Sequence, residues 1–234
     1  MVLQNHRSEY LSRSQSKALF EAGAFAYCCD RPLNQFVTIH LHRAGVDLPQ
    51  HFISRLLKLF GDWLHRNAQI SSYWLWVLEN PPATEEKCGG LNLHILFHVP
   101  FDLIDQFRKR MRVWLKMSGG KRKPGVLNFR SAEHSKPGSD PALYLQHGLL
   151  GLLRYFAKAI EPQAASDFGI EPKHQGIIFG KRWGHSEALG EQHRWLPDHS
   201  RRSNYITGRS SLARRYAKAV CPDLFEFPPY KEED

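Results

Sequence analysis

The sequence predicts an α+β fold. It reads as an antiparallel sheet with a split β-α-β-β-α-β core, helices on one face, then a further helix and a basic tail. Three observations lead there. Short runs rich in β-branched and aromatic residues recur along residues 36–42, 73–79, 91–99 and 126–130. Apolar residues at helical spacing fill the intervals after the first and third runs. Gly- and Pro-rich breaks separate the elements.

Residues 1–33 read as a helical lead-in. Phe36-Val37-Thr38-Ile39-His40-Leu41-His42 alternates and predicts the first strand. A helix follows, with Asp47 as N-cap, Pro49 in the first turn, and Phe52, Leu56, Leu59/Phe60 and Trp63 on its apolar stripe. Tyr73 to Glu79 is the second strand, and Pro81-Pro82 with Gly89-Gly90 brackets a turn. Leu91 to Val99 is the third, hairpin-paired with the second. Asp102 is expected to cap the next helix, whose stripe is Leu103/Ile104, Phe107, Met111 and Trp114, and Gly119-Gly120 ends it. Val126 to Arg130 is the fourth strand. A loop over 131–141 leads into a Leu-rich helix at 142–160. Beyond it, Gly176 to Gly180 reads as one more strand and 210–219 as a helix. The organisation is 1–33 lead-in, 34–161 main domain and 162–234 basic C-terminal extension.

The chain has 234 residues, and Lys+Arg 32 against Asp+Glu 23 leaves a net charge of +9. Hydrophobic content of 42% argues against general disorder. No apolar run is long enough for a spanning helix, and no apolar leader follows the N-terminus. The cysteines (Cys28, Cys29, Cys88, Cys221) show no metal spacing and suit a reducing cytoplasm. The charge sits in two blocks. Residues 107–136 hold ten basic side chains and one acidic, Glu133; residues 180–218 hold nine and three. Aromatic rings lie among them (Phe107, Trp114, Phe129; Trp183, Trp195, Tyr205, Tyr216), a mixture that suits single-stranded nucleic acid.

On the third strand, Asn92, His94, Leu96 and His98 share one face, and Leu93, Ile95, Phe97 and Val99 the other. The wholly apolar face is expected to meet the helices, and the first to face solvent or a ligand. Hairpin pairing brings Glu79 beside Asn92 or His94, an O/N donor set that suits a divalent cation. Tyr155 and Lys158, three apart, share a helical face, with His147 and Gly151 upstream on the same stripe. A tyrosine oxygen with a metal and a lysine near it can attack a phosphodiester. His40 and His42 form a second H-x-H, either contacting nucleic acid or merely exposed.

Taken together these motifs resemble the HUH superfamily of single-strand endonucleases, above all rolling-circle replication initiators. Phe36-Val37-Thr38-Ile39 is similar to the family's first motif, Leu93-His94-Ile95-Leu96 preceded by Asn92 to its histidine strand, and Tyr155-Phe156-Ala157-Lys158 to its nucleophile helix. Gly180 to Ser186 is more faintly similar to a C-terminal pattern of initiator-like proteins. Asn92 stands where the family has its first motif histidine. The resemblance, over about 34–161, implies nicking and joining of single-stranded DNA by Tyr155 through a 5′-phosphotyrosyl link. Glu79, Asn92 and His94 would hold Mg²⁺ or Mn²⁺, and Lys158 would assist at the phosphate. It also implies a single-stranded or hairpin origin as partner, a recruited host helicase and polymerase, and a bacterial cytoplasmic setting on a plasmid or phage. Arg108, Arg110, Lys121, Arg122, Lys123, Arg130, Lys181 and Arg182 are expected to line the strand-binding groove. The alternatives are a non-catalytic nucleic-acid-binding protein (a degenerate HUH or RNA-recognition-like domain), a transposase or relaxase relative, and a plain interaction domain.

Overall fold

A computed structural model describes residues 7–83 and 89–194. The expected helix at 210–219, Trp195, Tyr205, Tyr216, Cys88, Cys221 and the rest of the second basic block lie outside the described residues.

The chain begins with β1 (Arg7–Ser8) and α1 (Arg13–Cys28). Ser12 caps α1 in a capping box with Gln15, so the first free amides are satisfied locally. β2 (Gln35–His40) passes through the short α2 (Leu41–Ala44) into α3 (Pro49–Ala68). Pro49 opens α3, but the cap residue is Leu48, without a side-chain bond, rather than Asp47. β3 (Trp74–Glu79) and β4 (Asn92–Phe97) follow. After a 3₁₀ turn comes α4 (Ile104–Met117), whose cap is Leu103, not Asp102, because the turn displaces the helix start. β5 (Leu127–Ser131) follows. Asp140 caps α5 (Pro141–Leu143), which continues as a π-helical turn (Tyr144–Leu149), α6 (Leu150–Phe156) and a 3₁₀ turn (Ala157–Ala159). β6 (Ile178–Phe179), β7 (Trp183–His185) and α7 (Glu191–Arg194) complete the described chain.

The protein is α+β, with a five-stranded antiparallel sheet in the order β5-β2-β4-β3-β7. The edge strand β7 comes from the C-terminal extension, where the sequence shows only a short Trp-Gly-His after Lys181-Arg182. The strand expected at 176–180 is shorter and pairs with β1 in a separate two-stranded sheet.

Alternation along the strands divides the core in two. Val37, Ile39, Trp76, Leu78, Leu93, Ile95 and Phe97 pack against Phe52, Leu56 and Phe60 of α3 and Phe107, Met111 and Trp114 of α4. That is the apolar face expected to meet these two helices. The opposite face departs from the expectation of an open surface and of helices on one face only. Phe36, Leu75, Val77 and Leu96 pack there against Leu19 and Phe20 of α1 and Leu149, Leu153 and Phe156 of the α5–α6 segment. The sheet therefore lies between two helical layers. The reason is that α1 and the Leu-rich helix each need an apolar surface, and Leu75, Val77, Leu96 and Phe36 supply it. Gly148, in the π-helical turn, fits closely against the Glu133 carbonyl, where any side chain would clash. No helix among the described residues is long and apolar enough to cross a membrane.

Candidate functional site

Three central strands deliver the polar side chains. His40 pairs with Asn92 and Asn92 with Glu79, making one cross-strand row at the end of the sheet. Thr38, His94 and Val77 form the next row on the same face. The histidine is fixed at both ring nitrogens. His94 Nδ1 lies 3.0 Å from Thr38 Oγ1 and its Nε2 3.1 Å from Glu79 Oε2. In one tautomer Nε2–H donates to Glu79 Oε2 and Nδ1 accepts from the Thr38 hydroxyl; in the other Nδ1–H donates to Thr38 Oγ1 and leaves an Nε2 lone pair beside Glu79.

The helical layer above contributes Tyr155 from α6 and Lys158 from the 3₁₀ turn after it. Lys158 Nζ is 2.9 Å from Glu79 Oε2 and 3.7 Å from the centroid of the Tyr155 ring. That ring stands edge-on to His94, with centroids 5.4 Å apart, and also touches Phe36. Glu79 and His94 are 3% and 4% exposed, whereas Tyr155 is 39% exposed. The tyrosine hydroxyl has no hydrogen-bond partner among the described residues. Gly151, one helical turn earlier, borders open space. The cluster is thus a buried polar floor under one accessible phenol.

Burial opposes ionisation of Glu79. The hydrogen bond and charge of His94, with the Lys158 ammonium, outweigh it and hold the carboxyl below its usual range. Glu79 Oε2 is shared by His94 and Lys158, but buried Oε1 has no partner among the described residues. An unpaired buried carboxylate oxygen costs free energy and is the natural ligand atom for a cation. Among the described residues no group of three His, Cys, Asp or Glu side chains could hold a metal ion. A cation site here therefore depends on the Asn92 amide oxygen as a third donor. Its Oδ1 lies 2.6 Å from His40 Nδ1. With Glu79 Oε1, the Asn92 amide oxygen and His94 Nε2, the last in the tautomer whose Nδ1–H donates to Thr38 Oγ1, the donor chemistry fits a hard divalent cation.

The structure brings Glu79, Asn92, His94, Tyr155 and Lys158 together. His98 is elsewhere: it is buried at the other end of β4 and bonded to the Pro32 carbonyl at 2.9 Å. The basic residues divide. Arg130 pairs with Phe36 and so shares the Tyr155 side of the sheet, on edge strand β5. Lys121, Arg122 and Lys123 are exposed in the loop after α4, where the Lys121 amide bonds to the Ala44 carbonyl, near the His40 end of the sheet. Arg108 and Arg110 belong to α4, on the opposite layer, and Arg108 bonds to Gln35 and Ser131. Lys181 is exposed beside the start of α3. Arg182 is only 3% exposed and uses its guanidinium on the carbonyls of Ser8, Leu78 and Gly176. It is a buried clamp rather than a surface cation.

Two residues acquire roles that the sequence reading did not assign. Thr38 orients His94, and His40 holds Asn92. Alternation along the first strand shows that they share a face. Their partners follow only from β2 lying beside β4, which no local pattern states. No family model matches the chain, and neither a curated protein nor a solved structure does.

Proposed function

We propose that the protein is a metal-dependent nuclease and strand transferase that nicks and joins single-stranded DNA, with Tyr155 as nucleophile. The observation that carries this reading is the gathering of an accessible tyrosine, a lysine, a buried carboxylate and an imidazole from three separate chain segments. In the β-α-β-β-α-β core, strands β2, β3, β4 and β5 lie in the order fourth, first, third, second, as in a split-βαβ domain. This agrees with the resemblance to HUH replication initiators. Replication of a plasmid or phage from a single-stranded or hairpin origin is the setting that reading implies, with host helicase and polymerase as partners.

The Tyr155 oxygen attacks a backbone phosphorus. The P–O3′ bond breaks, a 5′-phosphotyrosyl link forms, and the released 3′ oxygen takes up a proton. The phenolic proton goes to solvent or base at the exposed rim. Lys158 offsets negative charge developing on the phosphoryl oxygens. Glu79, Asn92 and His94 would hold Mg²⁺ or Mn²⁺, which when bound supplies Lewis-acid polarisation of the phosphate. Thr38 and His40 keep the imidazole and the amide in place. Reversal, by attack of a DNA 3′-hydroxyl on the link, joins strands.

A second reading is a nucleic-acid-binding protein that does not cut. It is favoured by the engagement of Glu79 Oε2 with both His94 and Lys158. Incubation of labelled single-stranded oligonucleotide pools with Mn²⁺, followed by a denaturing gel, separates the two. A covalent adduct that is lost in Tyr155→Phe is expected for the nuclease. No adduct across a broad pool, or an adduct that survives the substitution, rejects it.

A further inference from the structure

The first basic block does not surround the Tyr155 site as a single wall. Its helical part lies on α4, which buries Phe107, Met111, Trp114 and Leu115 against the sheet face opposite Tyr155. The outward side of α4 presents Lys109, Arg112 and Lys116, spaced three and four apart, around half-exposed Val113. With Arg122 from the following loop they line one shallow depression. No ion pair among the described residues neutralises any of these four cations. Arg112 is held upright by the Arg108 carbonyl and the face of Phe129. Asp102 and Asp105 lie back at the start of the helix, outside the depression.

We infer that this surface is a second nucleic-acid site, separate from the tyrosine site, and that it holds the phosphate backbone of double-stranded DNA. Unneutralised cations along a helix face suit a polyanion of regular charge spacing. A single strand would call for rings on which to stack. Trp114, the nearest large ring on the helix, is turned into the core at 5% exposure. A lipid surface would require an apolar stripe on the same side. The α4 stripe is spent on the core, leaving only Val113 and Met117 half-exposed. The half-buried Phe129 ring has its face taken by Arg112, so cation contacts without a free stacking ring fit a duplex backbone, read for charge rather than sequence. The site does not depend on chemistry at Tyr155.

The test is fluorescence anisotropy with a labelled DNA duplex, a single strand of equal length and anionic phosphatidylserine vesicles, over a range of salt. The wild-type chain is compared with K109Q/R112Q/K116Q and with K109R/K116R. The Gln variant is expected to lose at least tenfold in duplex affinity at low salt. The slope of log K against log salt should fall by about 2 to 3. The Arg variant should bind as wild type. Adduct formation on a short single strand should be unchanged, because these side chains lie on the other layer. Unchanged duplex affinity and slope in the Gln variant overturns the inference. So does an equal loss for single strand and duplex, or binding of vesicles without binding of duplex. A wild-type chain that forms no adduct but shows the charge-dependent duplex loss rejects the nuclease and leaves this surface standing.

Discussion

At the scale of single residues, the site is a set of interlocked pairs. His94 is gripped by Thr38 and Glu79, Asn92 by His40, and Lys158 bridges Glu79 to the Tyr155 ring. A bound imidazole that also donates or accepts at its second nitrogen is oriented by that partner. Thr38→Val keeps volume and β-propensity but removes the hydroxyl. On the proposed cation site, Mn²⁺ affinity measured by calorimetry is expected to weaken about 10- to 100-fold with little change in melting temperature. An unchanged affinity would mean that Thr38 does not orient the ligand. Strand alternation placed Asn92 and His94 on one face, and hairpin logic brought Glu79 beside them, so that half of the cluster is legible in the residues. The role of Thr38 is not, because it depends on two strands separated by more than fifty residues lying side by side.

At the scale of elements, the C-terminal extension is part of the sheet. β7 extends it beside β3, and Arg182, just before β7, ties three segments together through carbonyls of Ser8, Leu78 and Gly176. Burial disfavours the charge on this guanidinium, while Glu79 and Glu9 support it. Arg182→Met leaves those carbonyls without their donor. It is expected to cost about 3 kcal/mol in chemical denaturation while leaving the salt dependence of DNA binding unchanged. A weakened salt slope with intact stability would instead make Arg182 a phosphate contact. Sequence counts it among the basic residues of the tail because charge composition carries no information about burial. The caps of α3 and α4 were displaced for a related reason: Leu48 and Leu103 take the cap positions where the chain enters from α2 and from a 3₁₀ turn.

At the scale of the whole molecule, the chain packed over the His94 face of the sheet controls what can titrate. His98 is buried under the 30–34 segment, bonded to the Pro32 carbonyl, with Arg31 and Asp30 the charged groups nearest to it. Burial lowers its pKa to about 4; Arg31 adds to that, while the Pro32 bond and Asp30 oppose it. The folded chain thus holds His98 neutral where the unfolded chain takes up a proton. Stability is complete above about pH 6.5 and falls as pH drops toward 4, by about 1.4 kcal/mol per unit. His98→Asn should flatten that decline in urea titrations between pH 6.5 and 4.5, above the range where Glu79 protonates. An unaltered slope would place the effect on another group.

By itself the sequence determined the α+β class, the four core strands, the two helices of the first layer and the residue types of the site. Those follow from periodicity and turn chemistry, which are local. Only the tertiary structure decided that a second helical layer buries Glu79 and His94 and leaves Tyr155 as the exposed group of the cluster. It alone decided that Thr38 and His40 complete the polar rows, and that α4 carries its cations on the far side of the sheet. These depend on strand order and on which apolar surfaces find each other. Packing between distant segments sets both, and no short stretch of sequence encodes it.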